Sequence, residues 1–144
     1  MEDIKVNTPT RKTSVTKRFT FEACHYLPEY KGACHNLHGH SYVLEVTVSG
    51  DIIEDGDKKG MILDFKDLKS EVKSLIIDRV DHCNLNDIFP NPTAEIMANT
   101  FFSIIENSFD HKGIKLERIR LWETRDSYAE VTRSWFHVIL SRNI

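Results

Sequence analysis

The chain has 144 residues, of which 40% are hydrophobic and 28% charged, with 19 basic against 22 acidic side chains for a net charge of −3. That length and balance suit one domain around one core, and no apolar stretch reaches the roughly 20 residues of a membrane span. No Lys/Arg block marks a nucleic-acid footprint, and the polar N-terminus lacks the apolar segment of a signal peptide, which predicts a cytoplasmic protein.

Residues 1–13, MEDIKVNTPTRKT, are polar and Thr-rich and read as a flexible arm preceding a single domain over 14–144. Residues 14–26 read as a strand, with Phe19, Phe21 and Ala23 on one face and Thr20 and Glu22 on the other. Residues 38–50 alternate again, placing Tyr42, Leu44, Val46 and Val48 on one side. Pro28 and Gly32 make a turning link between them, and DIIEDGDKKG after the second strand is a polar turn or loop.

The period then changes. Over 65–80, Asp64 can cap a helix whose stripe carries Phe65, Leu68, Val72, Leu75 and Ile76. The segment DHCNLNDIFPNP is irregular. A second helix is expected from Asn91 as cap with Pro92 at its first position, burying Ile96, Met97, Phe101, Ile104 and Ile105. Two strands, roughly 115–123 and 128–140, follow around the turn TRDS. The order β-β-α-α-β-β predicts an α+β fold, an antiparallel four-stranded sheet with both helices on one face. Its exposed edges favour either edge protection or assembly with further copies.

The densest chemistry lies in CHNLHGH, residues 34–40. Residues two apart on a strand point the same way, so His38 and His40 continue the row of Tyr42 and Leu44. His25 continues the row of Phe19, Phe21 and Ala23, so three imidazoles should converge at the ends of two paired strands. Such a triad suits Zn²⁺, with Gly39 allowing a close approach between the two strand-borne ligands. Cys34 is open to three readings: a base whose thiolate a nearby cation favours, a fourth ligand closing a structural site, or a bystander. Cys24 and Cys83 read as small buried hydrophobes, and the odd count of 3 cysteines argues against a disulfide framework.

Asp81 and His82 form a second candidate, since a carboxylate can hold a histidine's tautomer and stabilise its charged form, although a capped helix end accounts for such a pair too. Glu123 ends a strand, where a carboxylate can take paired hydrogen bonds from the amidine-like edge of a purine or pterin. His35 lies off the ligand rows, and His111 and His137 have no matched partners.

Taken together, FTFEACH, GACHNLHGHS, GMILDFKDLK, VDHCNLND, NPTAE and WET resemble, in order and over roughly residues 16–140, the 6-pyruvoyltetrahydropterin synthase superfamily. The short spacing from Cys34 to His38 is similar to the branch of 6-carboxy-5,6,7,8-tetrahydropterin synthases of queuosine biosynthesis. The resemblance implies the tunnelling fold and a homo-oligomer, trimers pairing into hexamers with sites between subunits. It also implies zinc on His25, His38 and His40, Cys34 as catalytic base, Asp81 and His82 as its proton relay, Glu123 as pterin anchor coupled to that relay, and Thr93 near the pterin. The implied substrate is 7,8-dihydroneopterin triphosphate, converted without a redox cofactor to 6-carboxytetrahydropterin, acetaldehyde and triphosphate. Two alternatives stand beside this: a 6-pyruvoyltetrahydropterin synthase that stops after triphosphate loss, and a non-catalytic zinc-binding assembly protein.

Overall fold

A computed structural model describes residues 1–9, 11–109 and 112–133. Two long strands, β1 (Thr13–His25) and β2 (His38–Gly50), pair antiparallel from Thr13↔Gly50 to His25↔His38. β4 (Lys115–Thr124) pairs with β2, and β5 (Ser127–Thr132) with β4, both antiparallel. A two-residue strand, β3 (Cys83–Asn84), lies parallel to the outer edge of β1, giving a five-stranded sheet in the order β3-β1-β2-β4-β5.

The expected four-stranded antiparallel sheet therefore gains a parallel edge strand. Two residues carry no alternation for a sequence to display. What recruits them is the row of unpaired N–H and C=O groups along β1, which need partners.

Helix α1 (Phe65–Val72) opens on Asp64, whose carboxylate accepts the Lys66 N–H at 2.8 Å. It runs into a π turn over Lys73–Ile77 and a last α turn at Asp78–Val80. The π turn inserts a residue into the helical repeat, so Val72, Ile76, Ile77 and Val80 all reach the core. Helix α2 (Ala94–Phe109) starts later than expected. Thr93, not Asn91, caps it: the Thr93 hydroxyl accepts the Ile96 N–H at 3.2 Å, and Pro92 stays outside the helix. Thr93 is a competent cap with a helical run directly behind it, and starting there leaves the Pro92 carbonyl free for other use.

Alternation sorts the sheet as expected. Phe19, Phe21 and Ala23 of β1, Tyr42, Leu44, Val46 and Val48 of β2, and Leu116, Ile119 and Leu121 of β4 are buried under the helices, against Leu68, Met97, Phe101 and Ile105. Full burial of each such side chain contributes about 1.5–3 kcal/mol, so this layer holds the helices onto the sheet. Phe65 and Ile96, expected in the stripes, are 52% and 43% exposed, because each lies in the first turn of its helix, at the rim of the packed layer. The other sheet face is polar, with Arg18 and Arg120 near Glu45 at 3.4 and 4.0 Å and Arg120 on Glu130 at 2.7 Å. Among the described residues no helix is long and apolar enough to cross a membrane. Of the last expected strand, 134–140 lies outside the described residues, as do His111 and His137.

Candidate metal centre and its surroundings

β1 ends at His25 and β2 begins at His38, and the two are Cα partners in the ladder. Their side chains and that of His40 therefore emerge on the helix-covered face at one end of the sheet. One ring nitrogen from each of the three lies within 4.8 Å of the others. The expected convergence of the rows is what the structure shows.

The hydrogen bonds around the rings say what those nitrogens can do. His25 is 1% exposed, and its Nδ1 lies 2.8 Å from the Pro92 carbonyl oxygen. His38 Nδ1 lies 2.7 Å from the Asn36 carbonyl oxygen. A carbonyl only accepts, so both Nδ1 atoms carry the proton and both Nε2 atoms present lone pairs. Those two Nε2 atoms face each other at 3.1 Å. His40 Nε2 is buried with no hydrogen-bond partner. Two opposed lone pairs and an orphaned buried nitrogen are unfavourable by themselves, and a shared cation satisfies all three. Ligands 2.0–2.1 Å from a tetrahedral zinc would stand about 3.3 Å apart, close to the His25–His38 separation. The residues present fit a three-histidine metal site with an open position. Burial, opposed by the nearby Glu123 carboxylate, holds the His40 imidazole below its ordinary pKa and thus neutral, as a ligand must be.

Glu123 reaches this cluster from β4, with its oxygens 3.7 Å from His40 Nε2 and 4.0 Å from His25 Nε2. The β4–β5 register shifts between Trp122 and Thr124, so Glu123 sits in a bulge, a device that re-aims a side chain beside a site. Tyr42, fully buried, places its hydroxyl 3.3 Å from His25 Nδ1. Burial first, and the Glu123 charge second, push its phenol up and keep it protonated. Tyr42 was legible only as a core residue; its place two positions after His40 on the same row was the signal that it borders the site.

Asp81 and His82 follow the last turn of the first helical segment. Asp81 Oδ1 lies 3.0 Å from His82 Nδ1 and also accepts the Glu22 N–H at 2.9 Å. The Glu22 carbonyl takes the His82 N–H at 2.6 Å. This backbone clamp depresses the Asp81 pKa, chiefly through the Glu22 N–H. His82 has φ +60, in the left-handed region, and its side chain is 78% exposed. It lines an open depression of about 430 Å³ with Glu22, Cys24, Gly39, His40 and Asn84. A Cβ on Gly39 would meet only the Ala23 carbonyl oxygen, at an ordinary 3.5 Å, so the fold itself does not demand glycine there.

Cys34 is half-buried in a 3₁₀ turn, Ala33–His35, and joins neither the histidine cluster nor the depression among the described residues. Cys24 and Cys83 are half-buried rather than core residues, with thiols directed at backbone carbonyls. The Thr93 hydroxyl is engaged in capping α2.

The sheet thus carries three convergent histidines on paired strand ends, with a carboxylate reaching them from β4. A model of the family described as 6-pyruvoyl tetrahydropterin synthase matches residues 14–134, and the chain belongs to that family. It is 36% identical over 138 residues to a 6-carboxy-5,6,7,8-tetrahydropterin synthase of Haemophilus influenzae, covering 81% of this chain and 96% of the relative. It is 35% identical to a dihydroneopterin monophosphate aldolase of Pyrococcus furiosus, covering 83% and 97%. The fold superposes on the structure of Caenorhabditis elegans 6-pyruvoyl tetrahydropterin synthase with a TM-score of 0.73 at 26% identity, covering 89% of this chain and all of that one.

Proposed function

We propose that this protein is a zinc-dependent lyase that converts 7,8-dihydroneopterin triphosphate and water to 6-carboxy-5,6,7,8-tetrahydropterin, acetaldehyde and triphosphate, in 7-deazapurine (queuosine) biosynthesis. The observation that carries the reading is the His25–His38 pair with its opposed lone pairs, set beside an orphaned His40 nitrogen and the Glu123 carboxylate.

Held by His25, His38 and His40, zinc would supply Lewis acidity to the substrate's side-chain hydroxyls. The Pro92 and Asn36 carbonyls fix the tautomers that such binding needs. Glu123, aimed by its bulge, accepts the N–H groups of the pterin edge and sets the ring so that its side chain lies over the histidines. Cys34 as thiolate removes a carbon-bound proton of the side chain. His82, with its tautomer held by Asp81, returns that proton, and Thr93 lies near the ring from the start of α2. Oxidation of the side chain matches reduction of the ring, so electrons balance within the substrate.

The Cys34 thiol is not among the clustered ligand atoms, while His82 and His40 line one open depression. The protein acts as a homo-oligomer, a trimer or hexamer with sites at the subunit interfaces, a reading that the open edges of the sheet favour.

Incubation of the zinc-loaded protein with 7,8-dihydroneopterin triphosphate, followed by mass spectrometry and aldehyde trapping, tests the reading. Carboxytetrahydropterin and acetaldehyde in equal amounts are expected. A pyruvoyl product without acetaldehyde would assign the 6-pyruvoyl branch, and zinc-replete protein without turnover would mark a non-catalytic binder. The Pyrococcus furiosus relative favours a second reading, an aldolase acting on the monophosphate. Parallel incubation with dihydroneopterin monophosphate separates it, since preferential turnover there would select the aldolase.

A further inference from the structure

We propose that Asn86 is a positioning residue that holds the Cys34 turn in place by acting as the continuation of β3 in side-chain form. The inference rests on Cys34 being the base.

β3 pairs with β1 only at Ala23↔Cys83 and Cys24↔Asn84, after which the chain turns away into a 3₁₀ turn, Leu85–Asp87. The ladder nevertheless goes on. Asn86 Oδ1 accepts the Tyr26 N–H at 2.9 Å, and Asn86 Nδ2 donates to the Tyr26 carbonyl at 2.8 Å. A carboxamide has one donor edge and one acceptor edge, so it can satisfy both backbone groups of a single residue as a neighbouring strand would. Asn86 is itself held, since its N–H donates to Asn84 Oδ1 at 3.1 Å and the adjoining Leu85 is fully buried.

Tyr26 is where rigid strand passes into the loop that carries Cys34. The next residue, Leu27, donates its N–H to the Cys34 carbonyl at 2.8 Å, and its own carbonyl lies 3.3 Å from His35 Nδ1. The Ala33–His35 turn is thus tied back to Leu27, while residues 28–33 between them are exposed. Asn86 therefore fixes the strip of backbone from which the cysteine turn hangs. His25 is anchored separately at the Pro92 carbonyl, and His38 and His40 lie on the β1–β2 ladder, although the Asn36 carbonyl beside His38 belongs to the residue that caps the cysteine turn. Loss of the Asn86 amide should loosen the thiol far more than the histidines, which the β1–β2 ladder and the Pro92 carbonyl still hold, a division that a general loss of stability does not produce.

The test uses zinc-loaded Asn86→Ala and Asn86→Asp, with Ser49→Ala, at the far end of the sheet, as control. Zinc content, peptide-resolved alkylation by iodoacetamide, amide exchange and steady-state kinetics are measured. Asn86→Ala is expected to keep zinc, to alkylate Cys34 severalfold faster relative to Cys24, and to lose up to about 10²-fold in kcat with KM little changed. Asn86→Asp keeps the acceptor for the Tyr26 N–H but sets a carboxylate oxygen against the Tyr26 carbonyl, so it should not restore the loss. Ser49→Ala should leave the Cys34-to-Cys24 ratio and kcat at parent values. In the parent chain the Tyr26 amide should be protected from exchange, a readout that holds even where Asn86→Ala fails to fold. Parent-like alkylation and kcat in Asn86→Ala, or a freely exchanging Tyr26 amide in the parent, would overturn the proposal. Turnover surviving in Cys34→Ala would instead remove the base assignment, leaving the anchoring of the turn to be judged on alkylation and exchange alone.

Discussion

His25 and His38 oppose their Nε2 atoms at 3.1 Å while each ring's Nδ1 is committed to a backbone carbonyl. Neither ring can turn its lone pair away without breaking a hydrogen bond. The pair is preorganised for a cation, and the cost of that arrangement was met when the chain folded.

His38→Ala removes one wall of this arrangement without opening the core, since His38 is only half-buried where His25 is buried. The variant is expected to fold, to lose stoichiometric zinc, and to lose turnover with it. Loss of a ligand costs far more than the 10- to 100-fold in metal affinity typical of a mere supporting contact, so the effect should be large. Metal analysis of the purified variant checks this, and full zinc retention would remove His38 from the site.

Cys34→Ala should behave in the opposite sense. Its thiol is not among the clustered ligand atoms, so zinc and fold should be kept. Turnover should fall about 10²–10⁴-fold, the usual loss for a missing general base. Zinc content and acetaldehyde release, measured on one preparation, decide it. Loss of zinc in this variant would make Cys34 a ligand and revive the structural-site reading.

Glu123→Gln keeps the shape of the side chain and removes the charge. A hydrogen bond to a charged group contributes about 1.5–3 kcal/mol, so pterin affinity should fall about 10- to 150-fold. Calorimetric titration with a non-reactive pterin reads this directly, and unchanged affinity would end the anchoring role.

Asp81 offers a pH test. Its carboxyl is held below the usual range in the folded chain, mainly by the Glu22 N–H. The unfolded chain therefore takes up this proton first as pH falls, so the stabilisation is present above about pH 4 and lost as pH drops further towards the folded-state pKa. Asp81→Asn should be less stable than the parent near neutrality, and the difference should shrink as pH falls from about 5 to about 3. Denaturant titrations at several pH values check it; a constant difference would show that the clamp does not discriminate between the protonation states.

Much of this was readable in the residues. The alternation of Phe19, Phe21, Ala23 and His25 and of His38, His40, Tyr42 and Leu44 is a period of two, and a paired period of two fixes which side chains meet. What could not be read depends on partners distant in sequence or on single-residue slips. β3 exists because β1 has a free edge, which no local pattern in Cys83–Asn84 announces. The π turn at Lys73–Ile77 shifts a helical repeat that looked regular. The start of α2 is ambiguous locally because Asn91-Pro92 and Thr93 are both acceptable openings, and the contact that separates them, Pro92 to His25, spans 67 residues. The bulge at Glu123 likewise appears only when β4 and β5 are laid side by side.

His82 keeps a φ of +60 that a glycine would adopt freely and a histidine holds at a cost of about 1 kcal/mol. A search for robustness alone would discard the imidazole at this position, and a search for turnover would restore it. Position 82 is thus where heat resistance and activity should trade against each other in a mutational library, with glycine and asparagine rising under one selection and disappearing under the other.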